Sequence, residues 1–259
     1  MTLSVTLPAS TTARPTSRMR AVSAVPTLAR RRLALSVRSP RSVAVPMLTP
    51  VLFALVIAPA LANTVASGAG RTAYMTYVAL ATIGLLIPLN CAFSGLGVIV
   101  DRQQGAMREL LVAPIRRSSI VVGNLVAALA LTALQLAVLV GLSAARGADY
   151  RVGPRTIWFF AAAVVFAVLM YAVAEIMAVR LPSPEEYIGA VPAVAIVPFF
   201  FAGSLFPITA LPQWLGALHN IWGLHSAPVM AMLSMLVLAL YAVAAFRGAV
   251  RLFGKAGTS

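Results

Sequence analysis

Six apolar runs separated by short polar stretches make up most of this chain, over roughly residues 43–66, 74–100, 120–144, 156–179, 187–206 and 227–246. Each is close to or above the roughly 20 residues that carry an α-helix through a hydrocarbon layer of about 30 Å. The pattern predicts six membrane-crossing helices. Pro88 and Asn90 interrupt the second run, so a kink is expected near its middle. The fifth run ends in PFFFAGSLFPITALPQWL, residues 198–215, which predicts a break at Gly203 and Pro207 and a return segment with Trp214 at the interface. The competing expectation for the first run is a cleaved leader, because Ala60-Leu61-Ala62 follows its apolar core as a signal-peptidase site would.

The most polar stretch between two runs is DRQQGAMRELLVAPIRRSSIVVG, Asp101 to Gly123. Gly105 and Pro114 bracket eight residues, Ala106 to Ala113, that are mostly good helix formers, and Pro114 disfavours helix at the residue before it. This predicts a helix of about two turns. Met107, Leu110 and Leu111 fall on one face at i, i+3 and i+4, with Arg108 and Glu109 directed elsewhere. Such a rod is too short to span a bilayer, and its apolar stripe suits the membrane surface or a groove on a partner.

Gly105, Leu110, Leu111, Pro114, Arg117 and Gly123 resemble, position by position, the cytoplasmic loop of type-2 ABC exporter permeases. The phenylalanine-rich stretch at 199–201, the Gly203-Ser204 pair and the Leu211-Pro212 before Trp214 resemble the outer end of the fifth span in drug-export members of that family. The resemblance implies that the loop holds a coupling helix docked in a cleft of a separate ATPase subunit. Gly105, Met107, Arg108, Glu109, Leu110, Leu111, Pro114 and Arg117 would form that surface. It also implies a second permease, the same or similar, and ATP and magnesium held on the partner. Two departures stand out: Gln103 and Gln104 occupy places where the family often has a glutamate, and the segment from Gly216 to Trp222 is short.

Composition agrees with a polytopic protein: 61% of residues are hydrophobic, 10% are charged and the mean hydropathy is +0.94. The expected fold is all-α: six transmembrane helices, an N-terminal interfacial helix and the short cytoplasmic coupling helix. Residues 1–42 form a basic start, disordered to about Val25 and then a short interfacial helix over Thr27 to Val37. Residues 43–246 form the permease domain, and 247–259 a basic tail. The net charge of +14 lacks a basic face interleaved with aromatics, so nucleic acid is not the expected partner. Instead, 16 of the 20 Lys and Arg residues fall on the side that carries both termini and the coupling loop. That asymmetry puts this side in the cytoplasm, and the expected location is the cell membrane, a bacterial inner membrane.

Candidate chemistry is sparse. The nearest match to a phosphate-cradling loop, Gly248 to Ala256, has one residue too many between its glycines and an alanine in place of the magnesium-binding hydroxyl. The chain is therefore read as no enzyme, with no cofactor of its own. His219 and His225 lack nearby carboxylates, which argues against a metal site. Glu175 is the one acid inside an apolar run, read either as part of an ion or substrate path or as a side chain snorkelling toward Arg180. Asn90, Gln135, Phe199 and Phe200 complete a candidate substrate path, with helix-to-helix bonding and packing as their alternative roles. The function these features support is export of a lipophilic small molecule, drug or lipid. An ion-coupled secondary transporter and a membrane scaffold without transport are the rivals.

Overall fold

The computed structural model describes residues 17–65, 69–113, 115–150, 153–201 and 228–256, and the regular structure among these described residues is helical throughout. In chain order the helices are α1 (Ser17–Arg38), α2 (Pro40–Leu52), a π-helical stretch (Phe53–Ile57), α3 (Ala58–Val65), α4 (Ala69–Gln103), α5 (Ala106–Val112), α6 (Arg117–Ala145), α7 (Pro154–Arg180), α8 (Pro184–Phe201) and α9 (Pro228–Ala256). Among the described residues, four stretches are long and apolar enough to cross a membrane: Val43–Asn63, Gly70–Gln103, Ser118–Ala145 and Thr156–Arg180. The expected return segment after Phe201, with Gly203, Ser204, Pro207, Trp214, His219 and His225, lies outside the described residues.

Local chemistry sets the boundaries. Ser39 leaves the helical region at φ −123°, ψ 70°, and Pro40 restarts the helix as α2 at a position where its missing N–H costs nothing. Pro46 and Pro50 then withhold two ladder donors, and the wider π turn follows directly on them. At the far end of α6, Gly147 takes φ +99°, and the bonds Gly147 N to Ala144 O (3.0 Å) and Ala148 N to Ser143 O (3.0 Å) close the last carbonyls as a Schellman motif. Ser183 caps α8: its Oγ accepts from the Glu186 N–H at 3.2 Å, with Pro184 in the first helical position.

The N-terminal helix departs from the expectation in its length. It begins at Ser17 rather than near Thr27. A methyl added at Gly123 of α6 would meet Leu28 Cβ and the Val25 carbonyl, while Gln135, further along α6, donates to Val43 O at 2.9 Å. From Val25 to Val43 the chain therefore advances along α6, held by continuous packing.

The central helix is α4. It contacts α2, α3, α6, α7 and α8, and α7 is covered in turn by α9. At 1.5 Å per residue its 35 residues extend about 50 Å, well beyond a hydrocarbon core of about 30 Å. Its final turns thus reach past the apolar layer. Pro88 sits inside this helix without ending it, leaving the Gly84 carbonyl without its ladder donor.

The core joins Leu86, Ile99, Ile120, Tyr171, Ala174 and Tyr187. Tyr187 of α8 donates to the Ala92 carbonyl of α4 at 2.8 Å, and Gly95 makes the approach possible. A Cβ there would overlap the Tyr187 hydroxyl and lie 2.9 Å from the Ala174 carbonyl. Outward, Val45, Leu48, Leu52 and Val56 form one exposed apolar stripe, and Ile157, Trp158, Phe160 and Val164 another, as surfaces facing lipid require.

Gly95→Ala is accordingly expected to destabilise the fold by about 1–3 kcal/mol, read as a lower thermal midpoint of the purified protein. Adding Tyr187→Phe removes the hydroxyl clash and should restore part of the loss. An unchanged midpoint in Gly95→Ala would show that this seam is loose.

Candidate functional site

The turn between α4 and α6 is built from its backbone outward. The ladder of α4 ends with Gln104 N to Val100 O (2.9 Å) and Gly105 N to Arg102 O (3.3 Å). Gly105 then adopts φ +79°, ψ −8°, the left-handed conformation that costs an L-residue roughly 1–2 kcal/mol. Nothing lies within 4 Å of a Cβ placed there, so the glycine is required by conformation and not by space. The seven-residue α5 follows at once, and Ala113 ends it in extended geometry at φ −61°, ψ 143°. Two turns of helix thus hang from α4 by a single left-handed residue.

The faces of α5 are unequal. Leu110, with Ile115 beyond it, packs against the hydrophobic core. Glu109 is exposed, and Val112 is 86% exposed, an apolar side chain standing free at the tip of the rod. The side chains of Met107, Arg108, Leu111 and Arg117, and the whole of Pro114, lie outside the described structure. Val112 was absent from the apolar stripe read off the sequence because it is one residue past Leu111 in the helical repeat.

Two adjacent residues fix the base of this turn. Asp101 accepts from Arg32 Nη1 of α1 at 2.9 Å, with both side chains only 12–13% exposed. The other Arg32 nitrogen, Nη2, donates to the Ser94 carbonyl at 3.0 Å, and Gly97 leaves room for the guanidinium. On the opposite side, Arg102 Nη2 donates to the carbonyls of Leu181 (3.1 Å) and Pro182 (3.4 Å) in the turn between α7 and α8. Neither anchor was foreseen. The only sequence signal for the first was an arginine triplet, Arg30 to Arg32, on a helix without acids.

The candidate path residues whose side chains are described make separate contacts. Asn90 donates to Thr132 Oγ1 (2.5 Å) and to the Ala128 carbonyl (3.3 Å), joining α4 to α6. Gln135 ties α6 to Val43, with its Oε1 unpartnered among the described residues. Phe199 is buried edge-on against Phe53, with ring centroids 5.6 Å apart at 87°. The Phe200 side chain lies outside the described structure. Glu175 neither snorkels nor meets Arg180. It is 1% exposed, its Oε1 accepts from Tyr171, and its Oε2 has no partner among the described residues. Two open depressions flank α7: one of about 400 Å³ against α4, between Tyr77 and Phe166, and one of about 550 Å³ against α6, between Leu129 and Phe160. Both are lined almost wholly by apolar side chains.

Removing one member of a largely buried ion pair strands the other charge. Asp101→Asn is therefore expected to cost about 2–3 kcal/mol, and Arg32→Gln a similar amount. The double substitution should cost no more than the worse single change. Additive losses in unfolding experiments would show that the pair is not coupled.

No curated protein gives a significant match to this sequence. A family model described as ABC-2 type transporter matches residues 23–241, from within α1 into α9. That match takes in most of the chain, and it covers the four stretches that, among the described residues, are apolar enough to span a bilayer. The chain belongs to the ABC-2 type transporter family and is the multi-pass transmembrane permease subunit of a transporter.

Proposed function

We propose that this permease works in an ATP-driven exporter, moving a lipophilic small molecule, drug or lipid outward. It uses a separate cytoplasmic ATPase, which holds ATP and magnesium, and pairs with a second permease of the same or similar kind. Six spans place both termini in the cytoplasm of a bacterial inner membrane. α8 and α9 supply the fifth and sixth.

The observation that carries this reading is α5. A two-turn helix standing on a braced base, with Val112 exposed at its tip and Glu109 beside it, suits a surface that is pushed by a partner. Force applied to it passes through Gly105 into α4, and through Arg102 into the turn between α7 and α8. The side with 16 of 20 basic residues is the side of α5, as a partner in the cytoplasm requires.

A second reading, ion-coupled transport, draws support from Glu175 alone, a buried acid with an unpartnered oxygen. The two separate in one experiment. Wild type and a Val112→Asp, Glu109→Lys variant are purified from the native membrane, and any ATP-hydrolysing subunit retained is identified. Because both positions are exposed, the variant should insert and fold normally; the expected result is retention by wild type and at least tenfold loss in the variant, or about 1.4 kcal/mol. Absence of an ATPase from both forms would sink the exporter reading and turn attention to Glu175→Gln and its effect on proton-driven uptake.

A further inference from the structure

Between α1, the start of α2, α4 and α6 lies a groove of about 620 Å³, within the usual size of a small-molecule site. Its lining is chemically mixed: Arg31, Arg32 and Arg41 are basic, whereas Val45, Phe93 and Leu131 are apolar. Asp101 is the only carboxylate lining it among the described residues, and Arg32 already neutralises that charge. Arg31 and Arg41 are therefore left as two positive charges with no acid opposite them in the groove.

The level of the groove is fixed by its walls. It reaches Gln104, just past the end of the apolar stretch Gly70–Gln103, and Val45, just inside the start of Val43–Asn63. The groove thus lies near the ends of two membrane-spanning stretches, where lipid headgroups meet acyl chains. From Val45 the apolar surface continues along α2 through exposed Leu48 and Leu52, offering a track on which a chain can leave the groove toward the bilayer.

We propose that this groove binds one phosphate-bearing anionic amphiphile: a phospholipid from the adjoining leaflet. The phosphate lies between Arg31 and Arg41, and an acyl chain runs past Val45. Two cations discriminate against a zwitterionic headgroup, whose own ammonium they repel, while the apolar side chains of the lining discriminate against a free anion. The site requires only that α4 crosses a bilayer, so it stands or falls apart from the ATPase partner and the direction of transport. Lipid held there bridges α1 to α2 beside the Arg32 to Asp101 contact, at the base from which α5 projects.

The test uses the full chain, purified in detergent and exchanged with vesicles of equal parts phosphatidylglycerol and phosphatidylcholine, with retained lipid counted by native mass spectrometry. Wild type should retain phosphatidylglycerol over phosphatidylcholine by roughly thirtyfold, the preference that two arginines near an anionic surface provide. Arg31→Gln with Arg41→Gln should bring the ratio near parity. Arg38→Gln changes an exposed charge on the same helix and should leave it unaltered. Val45→Trp, with every arginine intact, should reduce retention by filling the groove. This variant keeps the test decisive if the double substitution fails to fold. Equal preference in wild type and the double variant, the same loss in Arg38→Gln, or full retention in Val45→Trp would overturn the proposal. Displacement of the lipid by inorganic phosphate alone would do so as well, because it would assign the groove to a free anion.

Discussion

The structure around the α4 to α6 turn depends on a mismatch of lengths. A helix of about 50 Å in a hydrocarbon layer of about 30 Å must carry its ends into a polar environment. There, ion pairing and exposed carbonyls are affordable. Asp101 lies in that overhang, and the helix reaches it with an acid that the apolar layer would not tolerate unpaired. Arg32 answers it at 2.9 Å. The same guanidinium satisfies Ser94 O, so α1 is bound to two levels of α4 by one side chain. Without that overhang neither α1 nor α5 would have a polar place on which to attach.

Within the apolar layer the rule changes, because each polar group needs a partner from the protein. Short side chains satisfy it locally: Thr132 Oγ1 returns to Ala128 O at 2.8 Å, and Ser143 Oγ to Leu139 O at 2.7 Å. Longer ones reach across. Asn90 and Gln135 each join two helices, and the hydroxyl of Tyr187 crosses from α8 to α4. These bonds do for the permease what apolar burial does for a soluble core, since lipid tails compete equally for apolar surface. Glu175 stands outside this economy of pairs, with one oxygen answered by Tyr171 and the other by no described residue. A group that packing alone leaves incomplete is the natural place to look for a proton or a moving ion.

Much of this was legible in the residues, for reasons that follow from how far each signal reaches. The apolar runs foretold the spans because bilayer thickness imposes a length on every helix that crosses it: the stretch expected over 156–179 is Thr156–Arg180, and that over 120–144 is Ser118–Ala145. The turn at Gly105 was legible because a glycine ahead of a helix-forming run marks a conformation that other residues avoid. Contacts between helices were not legible. Nothing in the order of residues pairs Arg32 with Asp101, 69 positions away, or sends Arg102 to the carbonyls of Leu181 and Pro182. The starting point of α1 was missed for a different reason. Ser, Thr, Pro and Arg resist a packed core in isolation, but from Ser17 onward they join a helix, and from Val25 that helix has α6 to rest on. Val112 was missed because periodicity identifies the stripe a helix buries, whereas Val112 is left exposed after that burial.

Gly105 decides how the remaining parts act together. A continuous helix from α4 through α5 would let a sideways load bend over many residues and dissipate in the lipid. A left-handed glycine concentrates the change of direction at one residue, and Leu110 packed on the core prevents α5 from swinging freely about it. If a partner docks on Val112 as proposed, load there would reach α4 directly, or pass through Arg102 to the turn at the end of α7. Any rotation of the last turns of α4 would draw on the Arg32 contacts to Asp101 and Ser94 O, which also fix α1. The base of the turn is therefore a brace, and a lipid seated beside it would stiffen it.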